Sequence, residues 1–557
     1  MIPLTVICLY LVAIAIIGSF AFRRSQANTE DFFLANRGVG SMVFFLSLFA
    51  TNMTAFAILG SSGQAYRQGI GIYGLMASSS CFLIPLTIFF IGTRLWAIGK
   101  RFGHQTQVAF FRDRWECDAI GTLIFVLTVV MLVPYMIISI MGGGRVLADI
   151  SKDMVSYPLG CAIVALVVTV NVFFGGMRGT VWVNILQTSM FLIFGAIALA
   201  VISHNLPLGF GEYIHKIAAN PKTKFLVTRE RMSESYFWSY TFIPLSSIMF
   251  PHMAIMCFAA RRVTAFKRTV VLYPLAIMAI WLPCIFLGVI GAFLKPGLAK
   301  PDGVLLVMLS DYAPPILAGI LGAGIISAVM GSDTHQVLAL STMFTKDLFA
   351  HYGGKDKYGE RGSVYFARAF ILIVTVVAYI IALLTRETIF ELAVRFAFSG
   401  FAAMGPVMIA ALFWKRSTKY GALASTLWVA AWLVLTWYLQ KISDVSAPKP
   451  GAPPFIIFPE LANVGLGHLF ERTSANVTVF GFLPVVPMVL GSAVCMIIFS
   501  LLTRPPTQPT IEKYFSKQTS ETLSARTVSE SKGIAVASNE SAGMPRTPNA
   551  SRGSGAV

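Results

Sequence analysis

Apolar runs long enough to cross a membrane recur along this chain, most of them separated by short polar breaks. Thirteen such runs cover approximately 3–22, 39–63, 72–97, 119–143, 155–176, 180–203, 239–259, 269–293, 313–342, 364–385, 388–414, 420–440 and 478–503. An α-helix rises 1.5 Å per residue, so about 20 apolar residues span a hydrocarbon core of ~30 Å. The pattern predicts an all-α polytopic membrane protein of about 13 transmembrane helices.

Polar residues inside these runs are more informative than the runs themselves. The stretch 317–348, LAGILGAGIISAVMGSDTHQVLALSTMFTKDL, places Gly331, Ser332, Asp333, Thr334, His335 and Gln336 near its middle. Ionisable groups at that depth are costly and mark ion or solute paths. Ala328, Gly331, Ser332 and His335 follow the i, i+3, i+4, i+7 spacing of one helix face. That face leaves room for backbone carbonyls and a small cation; the bland alternative is a tight helix–helix contact through small residues. Two other spans carry breaks. The second contains Thr51, Asn52, Thr54 and Gly60–Gly63; the seventh contains Pro244, Ser246, Ser247, Pro251 and His252. Irregular backbone at membrane depth is tolerated where it is buried or lines a cavity. Breaks five spans apart predict inverted repeats, spans 2–6 and 7–11, with the binding site at their interface. His252 reads as a cap for its broken helix, and Glu391 and Arg395, four residues apart, as an intrahelical ion pair.

Composition narrows the class. Of 557 residues, 56% are hydrophobic and 12% charged, against about a quarter charged in soluble domains. The net charge of +18 lies largely in loops between spans, which speaks for topology rather than nucleic acid. Basic residues favour one set of loops, which puts the N-terminus outside and the C-terminus in the cytoplasm of a multi-pass cell-membrane protein. Arg23 and Arg24 follow the first run and no basic residue precedes it, the reverse of a cleavable signal peptide. The seven cysteines have no metal-like spacing and read as small buried residues. No phosphate loop, metal cluster or nucleophile–base motif suggests an enzyme. The long outer loops 204–238 and 441–477 are expected to pack as lids, and the Ser/Thr/Pro/Gly-rich segment beyond Arg504 to be a disordered tail.

Five stretches, in order, resemble the sodium:solute symporter family. They are DFFLANRGVGSMVFFLSLFATNMTAFAILGSSGQAYRQGIG, FGGMRGTVWVNILQTSMFLIFG, FPHMAIMCFAARRVTAFKR, ISAVMGSDTHQVLALSTMFTKDLF and GFAAMGPVMIAALFWKRSTKYGA. The pantothenate and proline branches look nearest. The resemblance implies a LeuT-like 5+5 inverted-repeat core with one peripheral helix before it and two after. The corresponding division is 1–38 (first helix and cytoplasmic loop), 39–203 and 239–414 (the repeats), 204–238 (outer loop), 415–503 (two peripheral helices) and 504–557 (tail). It also implies a co-transported sodium ion at the carbonyls of Ala50, Met53 and Ala328 and the hydroxyl of Ser332, with Gly331 standing where the family usually has a second hydroxyl. Asn52 and Asn184 stand where many relatives carry Asp. For solute, Tyr135, Ser247 and Pro251 match pocket positions of the proline branch, and Asn52 and Thr54 supply further polar groups.

The reading is a secondary active transporter that imports a small organic solute by alternating access, driven by sodium, with the bilayer as its setting. It needs no nucleic acid and no obligate protein partner. The missing hydroxyl and carboxylates keep an alternative open: a proton-coupled or ion-uncoupled carrier, with Asp333 and His335 as the coupling groups. A transporter-like solute sensor is a further alternative, against which stands the want of a signalling module after the last span.

Overall fold

The computed structural model describes residues 2–22, 29–385, 388–443, 448, 452–473 and 476–515. The apolar runs form helices: α1 (Ile2–Phe22), α2 (Ser41–Asn52), α3 (Phe56–Gln68), α4 (Gly71–Phe102), α5 (Asp118–Ile150), α6 (Tyr157–Asn205), α7 (Glu234–Ile248), α8 (Pro251–Ala259), α9 (Thr264–Leu294), α10 (Pro315–Phe349), α11 (Asp356–Leu384), α12 (Ile389–Phe413), α13 (Lys419–Ser443) and α14 (Val485–Leu502). Among the described residues nine helices are long and apolar enough to cross a membrane, or up to eleven if each bent pair is one span. The bent pairs are α2 with α3, at 60°, and α7 with α8, at 45°. The expectation of thirteen counts α1 as a span and α6 as two. At 49 residues α6 would be about 74 Å long, too long for one crossing. It is interrupted at Gly176, whose φ of +50° and ψ of −149° suit only glycine.

The two broken helices begin the two expected repeats, which is the architecture of a LeuT-like core. At its centre lies α10, buried at every residue from Leu321 to Met343. A helix surrounded on all sides by protein has no lipid-facing surface, which is why α10 accommodates six consecutive polar or small residues at mid-length. Its neighbours approach through small residues, as expected where no hydrophobic force separates protein from lipid. Gly319 and Gly322 of α10 meet Pro3, Val6 and Ile7 of α1. The Tyr10 and Ser327 hydroxyls lie 2.6 Å apart across the same contact. Gly143, Gly144 and Gly160 bring α5 and α6 together in the same way.

Polar contacts tie each end of the bundle. At one end Val39 and Ala260 form a parallel bridge, with Arg261 N–H donating to the Val39 carbonyl at 3.0 Å. Arg112 there donates to the Asp347 carbonyl at 3.2 Å. At the opposite end Arg67 pairs with Glu391 at 3.0 Å, and the Asp302 carboxylate accepts the Ile389 N–H at 3.0 Å. Glu391 thus reaches across to α3, a tertiary contact that the Glu391–Arg395 spacing did not anticipate.

The loop 204–238 packs on the helices, with Ile70 N–H donating to the Leu226 carbonyl at 2.7 Å and seating the loop on the end of α3. Several other expectations are corrected. The loop 441–477 carries strands rather than only irregular chain. β1 (Phe455–Ile456), β2 (Phe470–Arg472) and β3 (Val477–Val479) form an antiparallel sheet, whose two- and three-residue runs are too short to show a period. Of the seven cysteines only Cys161, Cys257 and Cys284 are buried; an apolar run also has a lipid face. Residues 506–515 belong to a separate unit, in which Gln508–Phe515 is helical where a disordered tail was expected. The rest of that expected tail, 516–557, lies outside the described residues.

Candidate functional site

The site is built around the break between α2 and α3. Met53 is extended, with φ −95° and ψ 102°, and Thr54 starts the chain turning again. The Thr54 hydroxyl accepts the Phe56 N–H at 3.1 Å and its carbonyl accepts the Ala57 N–H at 2.9 Å. A threonine placed so competes with the helix ladder and caps the second segment. α3 opens with a π-helical stretch, Phe56–Gly60, and α12 contains another, Ala393–Phe398. Such irregularities recur at functional sites. Gly142 of α5 lets the break approach α10: a Cβ there would fall 2.5 Å from Ala55 Cβ and 3.5 Å from Val329 Cγ2.

The candidate ion residues Ala50, Met53, Ala328, Gly331 and Ser332 are all buried. The structure brings Gly331 beside Ala50 and α6: a Cβ on it would lie 3.5 Å from Ala50 Cβ, 3.4 Å from Asn184 Oδ1 and 3.3 Å from Gln187 Oε1. Ser332 Oγ donates to the Val329 carbonyl at 3.2 Å and lies 3.3 Å from Ser139 Oγ. Around this seam the Ser47 and Thr51 hydroxyls and Asn184 Oδ1 have no hydrogen-bond partner although buried. A buried polar atom left unpaired costs roughly 1–3 kcal/mol. A water or an oxygen-seeking cation relieves that cost. Ser139 was not anticipated, because a single serine in the apolar run 119–143 carries no pattern.

Asp333 and His335 diverge, as ~100° per residue requires. His335 Nδ1 lies 2.8 Å from the Asn184 amide nitrogen of α6 and 3.2 Å from the Gly331 carbonyl. His335 Nε2 and both Asp333 carboxylate oxygens are buried without partners.

Beside the seam is a cavity of about 40 Å³ bounded by Asn52, Phe56, Ser247, Phe250, Trp281 and Phe398, among others. Of the anticipated solute residues, Asn52 and Ser247 line it, whereas Thr54, Tyr135 and Pro251 stand behind it. The Tyr135 hydroxyl donates to the Asn52 carbonyl at 3.2 Å, and its ring stacks on Phe250 at 5.3 Å. Pro251 opens α8, where its missing N–H costs nothing. His252 does not cap its helix. Its ring stacks on Phe250 at 4.9 Å and both nitrogens are unpartnered. Tyr273 and Trp281 of α9 were missed; their only signal was a polar tip on an aromatic in an apolar run. Asn52 Nδ2 donates to the Tyr273 hydroxyl at 2.6 Å.

Two broken helices crossing a buried helix at an oxygen-rich seam, next to an aromatic cavity, define a LeuT-like membrane transporter architecture. The chain belongs to the sodium:solute symporter family, whose model matches residues 32–428. It is 24% identical over 470 residues to the sodium/pantothenate symporter of Haemophilus influenzae, covering 83% of this chain and 96% of that one. It is 26% identical over 445 residues to the high-affinity proline transporter PutP of Bacillus subtilis, covering 77% and 90%. Among solved structures, a Na+-coupled sialic acid symporter in a substrate-bound outward-open state matches with a TM-score of 0.70 and 16% identity, covering 91% of this chain and 99% of that one.

Proposed function

We propose that the protein is a secondary active transporter in which sodium entry drives uptake of a small organic solute by alternating access, with the N-terminus outside and the 260–268 loop in the cytoplasm. The observation that carries this reading is the apposition of Ala50 and Gly331 at the helix break, amid buried oxygens without partners. Ala50, Met53, Ala328 and Ser332 would hold the ion through three carbonyls and one hydroxyl. Gly331 adds no side-chain ligand, so Ser332 bears more of the binding. Ion and solute favour the same occluded arrangement, which supplies their coupling.

The test is uptake in proteoliposomes, first with the relatives' solutes, pantothenate and proline, with and without a sodium gradient. Ser332→Ala removes a contact worth roughly 1.5–3 kcal/mol. The half-saturating sodium concentration is expected to rise by about one to two decades. An unchanged sodium dependence removes Ser332 from the ion site.

A proton-coupled reading is favoured by one observation, the unpartnered carboxylate of Asp333 and Nε2 of His335. Uptake measured against pH and sodium in the wild type, Asp333→Asn and His335→Gln separates the two. Sodium-independent uptake whose pH profile moves in His335→Gln would replace sodium by a proton.

A further inference from the structure

The wall of the cavity beside the helix break includes a buried donor with nothing to bond. Trp281, on α9, is 3% exposed and lines the cavity, and its indole Nε1 has no partner. An indole N–H can only donate, so it needs an acceptor brought to it. Two other polar groups on the wall are engaged elsewhere, and the Ser80, Ser246 and Tyr240 hydroxyls, which can both donate and accept, also lie on it. Asn52 Nδ2 donates to Tyr273, and Ser247 Oγ donates to the Pro244 carbonyl at 2.8 Å and lies 2.8 Å from Thr87 Oγ1. No Asp, Glu, Lys, Arg or His is among the described residues lining the cavity. The remaining wall is apolar and includes the rings of Phe56, Phe250 and Phe398.

We propose that Trp281 donates a hydrogen bond to the transported solute, and that this solute has no net charge. The proposal rests on the transporter reading above and names the substrate class of its cavity. A net charge moved from water into this wall meets no opposite charge, and such burial is heavily penalised. A neutral solute or a zwitterion brings no such excess. Its acceptor oxygen takes the Trp281 N–H, and its apolar part lies on the phenylalanine rings. The indole discriminates because a solute lacking the acceptor leaves the donor buried and unpaired.

The experiment uses the full-length protein in proteoliposomes at fixed sodium. The solute probes are L-proline, uracil and glucose, with no net charge, against the pantothenate anion and the choline cation. Binding is read by thermal shift and by competition. A net-neutral probe is expected to bind best, with pantothenate and choline at least tenfold weaker. Trp281→Phe, which keeps a ring and removes the donor, should weaken the best probe about tenfold while 22Na+ binding changes less than twofold. Tightest binding by pantothenate or choline, no binding by any net-neutral probe, or wild-type solute affinity in Trp281→Phe each overturns the proposal. If Trp281→Phe also loses sodium binding, the wild-type probe series alone decides. A wild type that binds a probe without sodium overturns the sodium reading and leaves this one standing.

Discussion

Asp302, in the connection between α9 and α10, is a single carboxyl with a consequence for pH. Burial pushes it up to about 6, against the pull of the Ile389 N–H, Arg67 and Arg145; Glu391 adds to the rise. Once hydrated in an opened state it returns to about 3.9. An acid whose pKa is higher when buried binds its proton more tightly there. The closed end therefore gains stability as pH falls through about 6, gains no more below about 4, and loses the effect above 6. The full range of about two units corresponds to roughly 3 kcal/mol. At pH 5 rather than 7.5, closure should be favoured about tenfold. Thiol labelling of a cysteine introduced at Gln68, in a background without native cysteines, should slow accordingly in acid. Asp302→Asn keeps an acceptor for Ile389 without a titrating proton, and its profile should be flat; a retained pH dependence would acquit Asp302. Nothing in the sequence marked this residue, because its burial comes from Gly63, Ile389 and their helices rather than from its own loop. Ser332 and Asn52, by contrast, were legible as polar residues within apolar runs.

At the scale of elements, the helix breaks were visible as clusters of Thr, Gly, Ser and Pro, and both bent pairs lie where those clusters fall. What braces them was not visible. Gly142 belongs to a run of three glycines whose roles differ: Gly143 and Gly144 face α6, while Gly142 faces Ala55 and Val329. Gly142→Ala would put its Cβ 2.5 Å from that of Ala55, and neither methyl can rotate away. Overpacking of this kind costs about 1–3 kcal/mol. The expected outcome is a lower melting temperature together with a several-fold rise in the half-saturating sodium concentration. Gly211→Ala, with nothing within 4 Å of its added Cβ, serves as the control and should change neither. Equal effects from both substitutions would deny Gly142 any special role in bracing the break.

For the whole molecule, the cavity beside the helix break is small. Its volume of about 40 Å³ has room for about three waters, at ~10–15 Å³ each, so an organic solute enters only if the surrounding rings move apart. The Arg67–Glu391 pair ties α3 to α12, with the Arg67 side chain 32% and the Glu391 side chain 12% exposed. A pair so placed is worth about 1 kcal/mol, and Glu391→Gln should shift the equilibrium roughly fivefold toward opening at that end. The same Gln68 labelling reads the shift as a faster reaction. Labelling at the wild-type rate would mean that the pair does not hold the end closed. The positions and apolar character of the spans, the two helix breaks and the family followed from the sequence alone, because each leaves a local mark: a run of apolar residues, a glycine or proline inside it, a motif. Which polar groups meet was decided only by the tertiary structure. Asn184 reaches His335, Glu391 reaches Arg67, and Trp281 comes to line the cavity across distances in sequence that no periodicity records. Burial of α10 on every side from Leu321 to Met343, which makes its polar centre tolerable, is likewise a property of the surrounding helices and not of its own residues.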